Sequence, residues 1–372
     1  LTYDSAGRLA GVIEKTGGTD KVTTIAHDSN GHPTVIVGPF GQQTLLTTDA
    51  NGYLASIANP AGETVQITSS STGLLQTFPD PRGKTSHYAY DAQGRLTQAT
   101  NPDGGTQSFG RTELDNGYAV TRTTALGRAT TSQVARLANG DHKMTNTRPG
   151  GQSQTVVSRS DGTDVFTQAG GLVTTFVRGP DPRFGMLAPV EGSGSVTLPG
   201  GPTYATSTTE SAVLSDPADV FSLAELTTTS LANGRPWTTT YTGATKTYST
   251  VTPTGRTTTD VIDARGRLLA TQAGGMATKI YAYDGFGRLE AVVRGSGTDA
   301  RTATLTYDPQ GFLAAVTDAI GRSTNFAHDQ AGRLTTKTLA NGEIVAFGYD
   351  AAGNLVSVTA PNGNSYTFGY SD

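Results

Sequence analysis

Tyr283-Asp284-Gly285-Phe286-Gly287-Arg288-Leu289 decides how this chain is read, because the same phrase keeps returning. Tyr3-Asp4-Ser5-Ala6-Gly7-Arg8-Leu9 and Tyr90-Asp91-Ala92-Gln93-Gly94-Arg95-Leu96 are close copies. Looser ones are Tyr307-Asp308 with Gly311, Tyr349-Asp350 with Gly353, His27-Asp28 with Gly31, and His328-Asp329 with Gly332. The aspartates stand at 4, 28, 49 and 91, then at 263, 284, 308, 329 and 350, steps of 21, 24 or twice 21 residues. A fixed period of this size means that one supersecondary unit is used again and again.

Ten residues after the first glycine a second one recurs, as in Gly52/Gly62, Gly94/Gly104, Gly311/Gly321 and Gly353/Gly363. Turn formers surround it, for example Asn59-Pro60-Ala61-Gly62 and Asn101-Pro102-Asp103-Gly104. Glycine supplies positive φ, proline presets φ, and Asn or Asp bonds the local backbone. Two turns per repeat leave segments of about six residues, the usual strand length. The fold class is therefore all-β: antiparallel hairpins of about 21 residues building a long spiralling sheet. Tyr88/Tyr90, Tyr281/Tyr283, Leu305/Tyr307 and Phe347/Tyr349 alternate before each Asp, which puts their side chains on one face. They read as structural packing, and the aspartates as turn elements that bond backbone N–H groups.

Hydrophobic residues make up only 35% of the chain and charged ones 16%, yet strict period and β-branched strands argue for ordered sheet rather than disorder. No stretch reaches the length of an apolar membrane helix. A net charge of −4 without a Lys/Arg run lacks the footprint of a nucleic-acid binder. Cysteine is absent, which excludes disulfides and leaves the compartment open. The chain divides into repeats at 1–104, diverged repeats at 105–261 and repeats again at 262–372. Pro/Gly density, as in Gly179-Pro180-Asp181-Pro182-Arg183-Phe184-Gly185, predicts an irregular insertion or bend near 178–226. Both ends cut into repeats, so the chain reads as part of a longer polypeptide.

The phrase at this spacing resembles the YD-repeat, or Rhs (rearrangement hotspot), family, which includes bacterial Rhs toxins, Tc-toxin C components and teneurins. The residues that carry the resemblance are Tyr3, Asp4, Gly7, Asp28, Gly31, Tyr90, Asp91, Gly94, Tyr283, Asp284, Gly287, Tyr307, Asp308, Gly311, Asp329, Gly332, Tyr349, Asp350 and Gly353. It is specific over 1–104 and 262–372 and weaker between. What it implies is a hollow β-shell, or barrel, of a bacterial protein that is secreted or on the cell surface. The implied partners are flanking repeats and a C-terminal effector of the same chain. Asp308-Pro309-Gln310-Gly311-Phe312 is superficially similar to the self-cleavage motif of the toxins, but its register makes it an ordinary repeat turn.

Catalytic chemistry is not expected. The histidines show no zinc-ligand spacing, and no cofactor or metal is called for. The recurring acids recur with the turns, whereas an acid/base pair is unique. The leading function is a structural shell segment that encloses or scaffolds a toxin or effector. The alternative is an extracellular adhesion or carbohydrate-binding module, with glycans or cell-surface proteins as partners; a hydrolase in the middle segment is the weakest reading.

Overall fold

The computed structural model describes residues 1–370, and among them there is no α-helix; one 3₁₀ turn, Gly297–Asp299, interrupts a succession of short strands. Every recorded ladder is antiparallel, and nearly all join strands adjacent along the chain, as in Lys21–His27 with Pro33–Val37 and Ser323–His328 with Leu334–Thr338. The chain forms two compact units: residues 1–106 with the chain from Tyr281 onward, and residues 107–280.

In the first unit, each Tyr-Asp phrase closes a hairpin in the same way. The N–H of Gly94 donates to the carbonyl of Asp91 at 3.0 Å, and the N–H of Asp91 to the carbonyl of Arg95 at 2.9 Å. The register slips between Ala89 and Tyr90, so Tyr90 faces Leu96. A tight turn closed by a glycine in the left-handed region produces this bulge. Gly94 has φ +77° and Gly353 φ +84°, the conformation their turns demand. The second turn of each repeat is built alike: the Asp318 N–H donates to the Arg322 carbonyl, and the Gly321 N–H to the Asp318 carbonyl. Hairpin geometry thus places Tyr-Asp turns along one rim of the sheet and the alternate turns along the other.

The strands of the second unit are longer. Residues 178–226, expected to be irregular, instead carry Gly185–Thr197 and Thr203–Leu214, the longest strands described. Asp181-Pro182-Arg183-Phe184 is only the tip of a long hairpin and Pro199-Gly200-Gly201 another turn; irregular backbone is confined to the stretch around 215–222. Proline and glycine density marked turns, and the β-branched residues between them set the strands.

Cross-strand register gives this second sheet two unlike faces. Tyr118, Val134, Met144, Val156 and Phe166 stand opposite one another along one row. Tyr241 and Tyr248 oppose each other on the same face, with ring centroids 4.7 Å apart. Its other face is lined by Thr and Ser, including Thr121 bonded to Thr131 at 3.1 Å and Thr227 to Thr240 at 3.3 Å. Ala135 is the one buried hydrophobic among the described residues. A sheet with so thin a core is held by cross-strand pairs and saturated backbone ladders rather than by bulk burial.

Candidate functional site

The residues singled out in the sequence do not converge on a pocket; they form a row along one rim. Each aspartate is consumed by its own turn. Asp284 Oδ1 accepts the N–H groups of Phe286 at 3.0 Å and Arg288 at 2.8 Å, and Oδ2 accepts Arg288 Nε at 2.7 Å. Asp4 with Arg8, Asp91 with Arg95 and Asp329 with Arg333 repeat the lock. His32 takes the Arg position beside Asp28, and Asn354 the same position beside Asp350. Asp308 keeps only the backbone part, from the Phe312 N–H at 2.8 Å, so its Asp-Pro sequence closes a repeat turn.

Charge follows this geometry. The backbone N–H of the fifth turn residue, helped by its guanidinium, holds the carboxyls of Asp4, Asp91 and Asp318 below their ordinary value. Burial works the other way on Asp284 and Asp329, yet the bonds from Arg288 and Arg333 prevail and these carboxyls are lowered as well. All are poised to remain ionised, unlike a general acid.

The tyrosines form a second device. Tyr307 donates its hydroxyl to the Leu289 carbonyl at 2.8 Å, Tyr349 to Leu334 at 3.0 Å, and Tyr370 to Leu355 at 2.8 Å. Each acceptor is the leucine position of the preceding Tyr-Asp phrase, so each of these three rings ties its repeat to the one before. At His328 the ladder has a gap: histidine fills the Tyr position, packs on Phe312 with centroids 5.3 Å apart, and buries Nδ1 without a partner.

What the sequence reading missed is a seam within the first unit, where the chain returns beside its own beginning about 268 residues later. Alternate turns of the early repeats sit on Tyr-Asp turns of the late ones. The Thr19 N–H donates to the Gly285 carbonyl at 2.7 Å, and Gln42 Nε2 donates to the Gln310 carbonyl. Phe40 packs edge-on against Phe286 at 5.1 Å, beneath Arg288, and fills the space over Gly311. Arg333 holds Asp329 and also reaches Glu63 at 2.8 Å, and Arg82 joins Asp350 at 3.4 Å. Spacing could have flagged these residues only with the pitch of one full circuit in hand, and no local pattern encodes that.

In the second unit, Asp181 Oδ1 accepts the N–H groups of Arg183 at 2.7 Å and Phe184 at 3.0 Å, which fixes the hairpin tip. Phe221 from the neighbouring loop meets Phe184 at 5.8 Å. Among the described residues no group of three or more His, Asp or Glu side chains could hold a metal ion. Among the described residues no helix is long and apolar enough to cross a membrane.

Locked turns on a fixed pitch, a tyrosine ladder and rim-on-rim contact define a repeat wall of the YD-shell class. The teneurin YD-shell family matches residues 1–372, and the chain belongs to that family. Among solved structures it is similar to a chain of the TcdB2-TccC3-Cdc42 crystal structure, at 12% identity and a TM-score of 0.38 over 92% of this chain and 23% of that one. It is also similar to a chain of the Photorhabdus luminescens Tc holotoxin pore with a mutant TccC3, at 12% identity and a TM-score of 0.41 over 93% of this chain and 22% of that one. The chain thus spans less than a quarter of either of those chains. No curated protein matches it.

Proposed function

We propose that this chain is a wall segment of a YD shell, that it performs no catalysis, and that the shell encloses or scaffolds an effector carried by the same longer, extracellular bacterial polypeptide. The observation that carries the reading is the consumption of the recurring ionisable groups. Aspartate is spent on its own turn amides and arginine, so the repeat builds structure and leaves no unique constellation for chemistry. The lowered carboxyls fit the same role, since a base held in an ion pair is a poor proton acceptor.

Protease protection on the full natural polypeptide tests the enclosure. A segment outside these repeats should resist digestion until the wall is cut, and then degrade quickly. Digestion of that segment at the same rate with an intact wall would remove the reading. For catalysis, Asp181→Ala is the strictest probe, because the tip at Asp181–Phe184 is the least repeated part of the sheet. Loss of a hydrolytic activity at unchanged thermal stability would place an enzyme there.

A second reading, glycan binding, is favoured by rings that stay exposed on one face of the second unit. Phe166, Tyr204, Trp237 and Tyr248 lie between 37% and 47% exposed. Stacking of sugar rings on these faces would show in titration calorimetry with oligosaccharides and would vanish with Trp237→Ala.

A further inference from the structure

The second unit holds one hollow that the repeat devices do not use. It lies on the aromatic face, where strands Thr163–Thr167, Val173–Asp181 and Gly185–Thr197 run side by side, and has a volume of about 300 Å³. Each of the three strands is paired on both sides, so the hollow sits within the sheet and not at a free edge. Its apolar wall includes Phe166, Phe176 and Pro189, and its polar wall is Asp164, Arg178 and Glu191. Apolar walls with a few placed charges are what small-ligand sites have in common.

Local sequence explains the space. Phe176 stands directly opposite Gly194, so no side chain rises across from its ring. Gly194 is not in the left-handed region, and conformation alone does not call for glycine there. Close approach does: a Cβ would stand 2.8 Å from Thr206 Oγ1 and 3.0 Å from Glu191 Oε1. The Glu191 carboxylate thus lies over Gly194 and faces the hollow together with Phe176. Phe166 meets Phe176 edge-on, with centroids 5.9 Å apart and planes at 83°. An edge-on pair leaves a ring face open, and that face is the negative end of the ring quadrupole.

The charges around the hollow do not cancel. A bulge at Gly192 sets Arg178 opposite Glu191, yet its guanidinium turns to Asp164 on the neighbouring strand, at 3.0 Å. Asp164 and Arg178 neutralise each other. Glu191 keeps only the Thr206 hydroxyl, at 3.5 Å, and has no ion pair among the described residues. One unpaired carboxylate is therefore left beside two phenyl rings. We propose that the hollow binds a small organic cation, a quaternary or alkyl-substituted ammonium. Its charge meets Glu191 and the open ring face, and its carbon skirt packs on the phenyl rings and Pro189. The site needs neither an enclosed effector nor a sugar, so it stands apart from both readings above.

Calorimetric titration of the 372-residue chain with choline chloride, at ionic strength held constant with sodium chloride, tests the site. Choline should bind with a Kd of about 1 mM or tighter. Its neutral isostere 3,3-dimethyl-1-butanol, equal in shape and without the charge, should bind at least about tenfold more weakly. Glu191→Gln should weaken choline about tenfold, and Phe176→Leu about fivefold. Trp237→Ala, which lies outside the hollow, should leave choline binding unchanged. Glu191 is exposed, so its variant folds if the melting temperature is kept, and it carries the test if Phe176→Leu does not fold. No heat of binding up to about 20 mM choline overturns the proposal. So does equal binding of the neutral isostere, binding that Glu191→Gln leaves intact, or a hollow that takes glucose or galactose and refuses choline.

Discussion

Replacing Gly311 by alanine should cost far more than replacing Gly321, although the two glycines belong to one repeat and share a backbone conformation. Gly311 has φ +86° and Gly321 φ +83°, so each alanine carries the left-handed penalty of about 1–2 kcal/mol. Around Gly321 a new Cβ meets nothing within 4 Å. At Gly311 it would stand 2.5 Å from the Phe40 ring, which must leave its place. Phe40 then gives up its edge-on contact with Phe286, worth about 0.5–1.5 kcal/mol, and its place beneath Arg288, worth about 0.5–1 kcal/mol. We expect Gly321→Ala to destabilise by about 1–2 kcal/mol and Gly311→Ala by about 2–4 kcal/mol. Urea unfolding followed by circular dichroism reads both, with amide exchange at Thr19, whose N–H bonds the Gly285 carbonyl, locating the loss at the seam. A double-mutant cycle completes the test: with Phe40→Ala in place, Gly311→Ala should fall to the cost of Gly321→Ala. Equal costs in the wild-type background would show that Phe40 does not occupy the seam.

Asp284→Ala removes two backbone acceptor contacts and an arginine partner that is about one-fifth exposed, so a loss of about 2–4 kcal/mol is expected in the same unfolding assay. Tyr349→Phe deletes the rung to the Leu334 carbonyl and should cost about 0.5–1.5 kcal/mol. His328→Tyr should instead stabilise the sheet, because a hydroxyl there can reach the Leu313 carbonyl and no buried ring nitrogen is left unpaired; a lowered melting temperature would contradict the ladder. Acid should loosen the turns. The backbone N–H of the fifth turn residue and its guanidinium hold the folded carboxyls of Asp4, Asp91 and Asp318 below their ordinary value, so their contribution is present above the unfolded value and is lost as pH falls through the folded ones. Carboxyl chemical shifts and urea midpoints between pH 5 and 2 check this, and stability that rises towards pH 3 would refute it.

The hairpin fold was legible because its signals are local. Asp91, Gly94 and Arg95 lie within five residues, and the bonds that close their turn run among those same residues. The tyrosine ladder was half legible. Alternation put the Tyr349 ring on one face, but its acceptor, the Leu334 carbonyl, lies one repeat back and leaves no mark on residue choice. Residues 178–226 were misread because Pro182 and Gly201 mark turns without saying how long the strands between them are. Phe40, Glu63 and Arg82 stayed hidden for a different reason. Their partners are set by how far the sheet travels before it returns, a sum of many small twists that no single segment specifies.

Not every repeat has the same length, and the place where the difference is absorbed has a consequence. Tyr349 reaches back 15 residues to its leucine, while Tyr307 reaches back 18 to the equivalent one. The three extra residues fall in the loop around Gly297–Asp299, at the alternate margin, and the rung is kept. One margin therefore behaves as a ruler and the other as slack. Insertions between Arg294 and Arg301 leave the rung from Tyr307 to Leu289 in place, whereas a single residue added between Asp284 and Arg288 breaks the five-residue turn that Asp284 closes. A lineage could lengthen or decorate this chain at late alternate loops such as the one around Gly297–Asp299, and hardly at all at the Tyr-Asp turns or at the early alternate turns that make the seam.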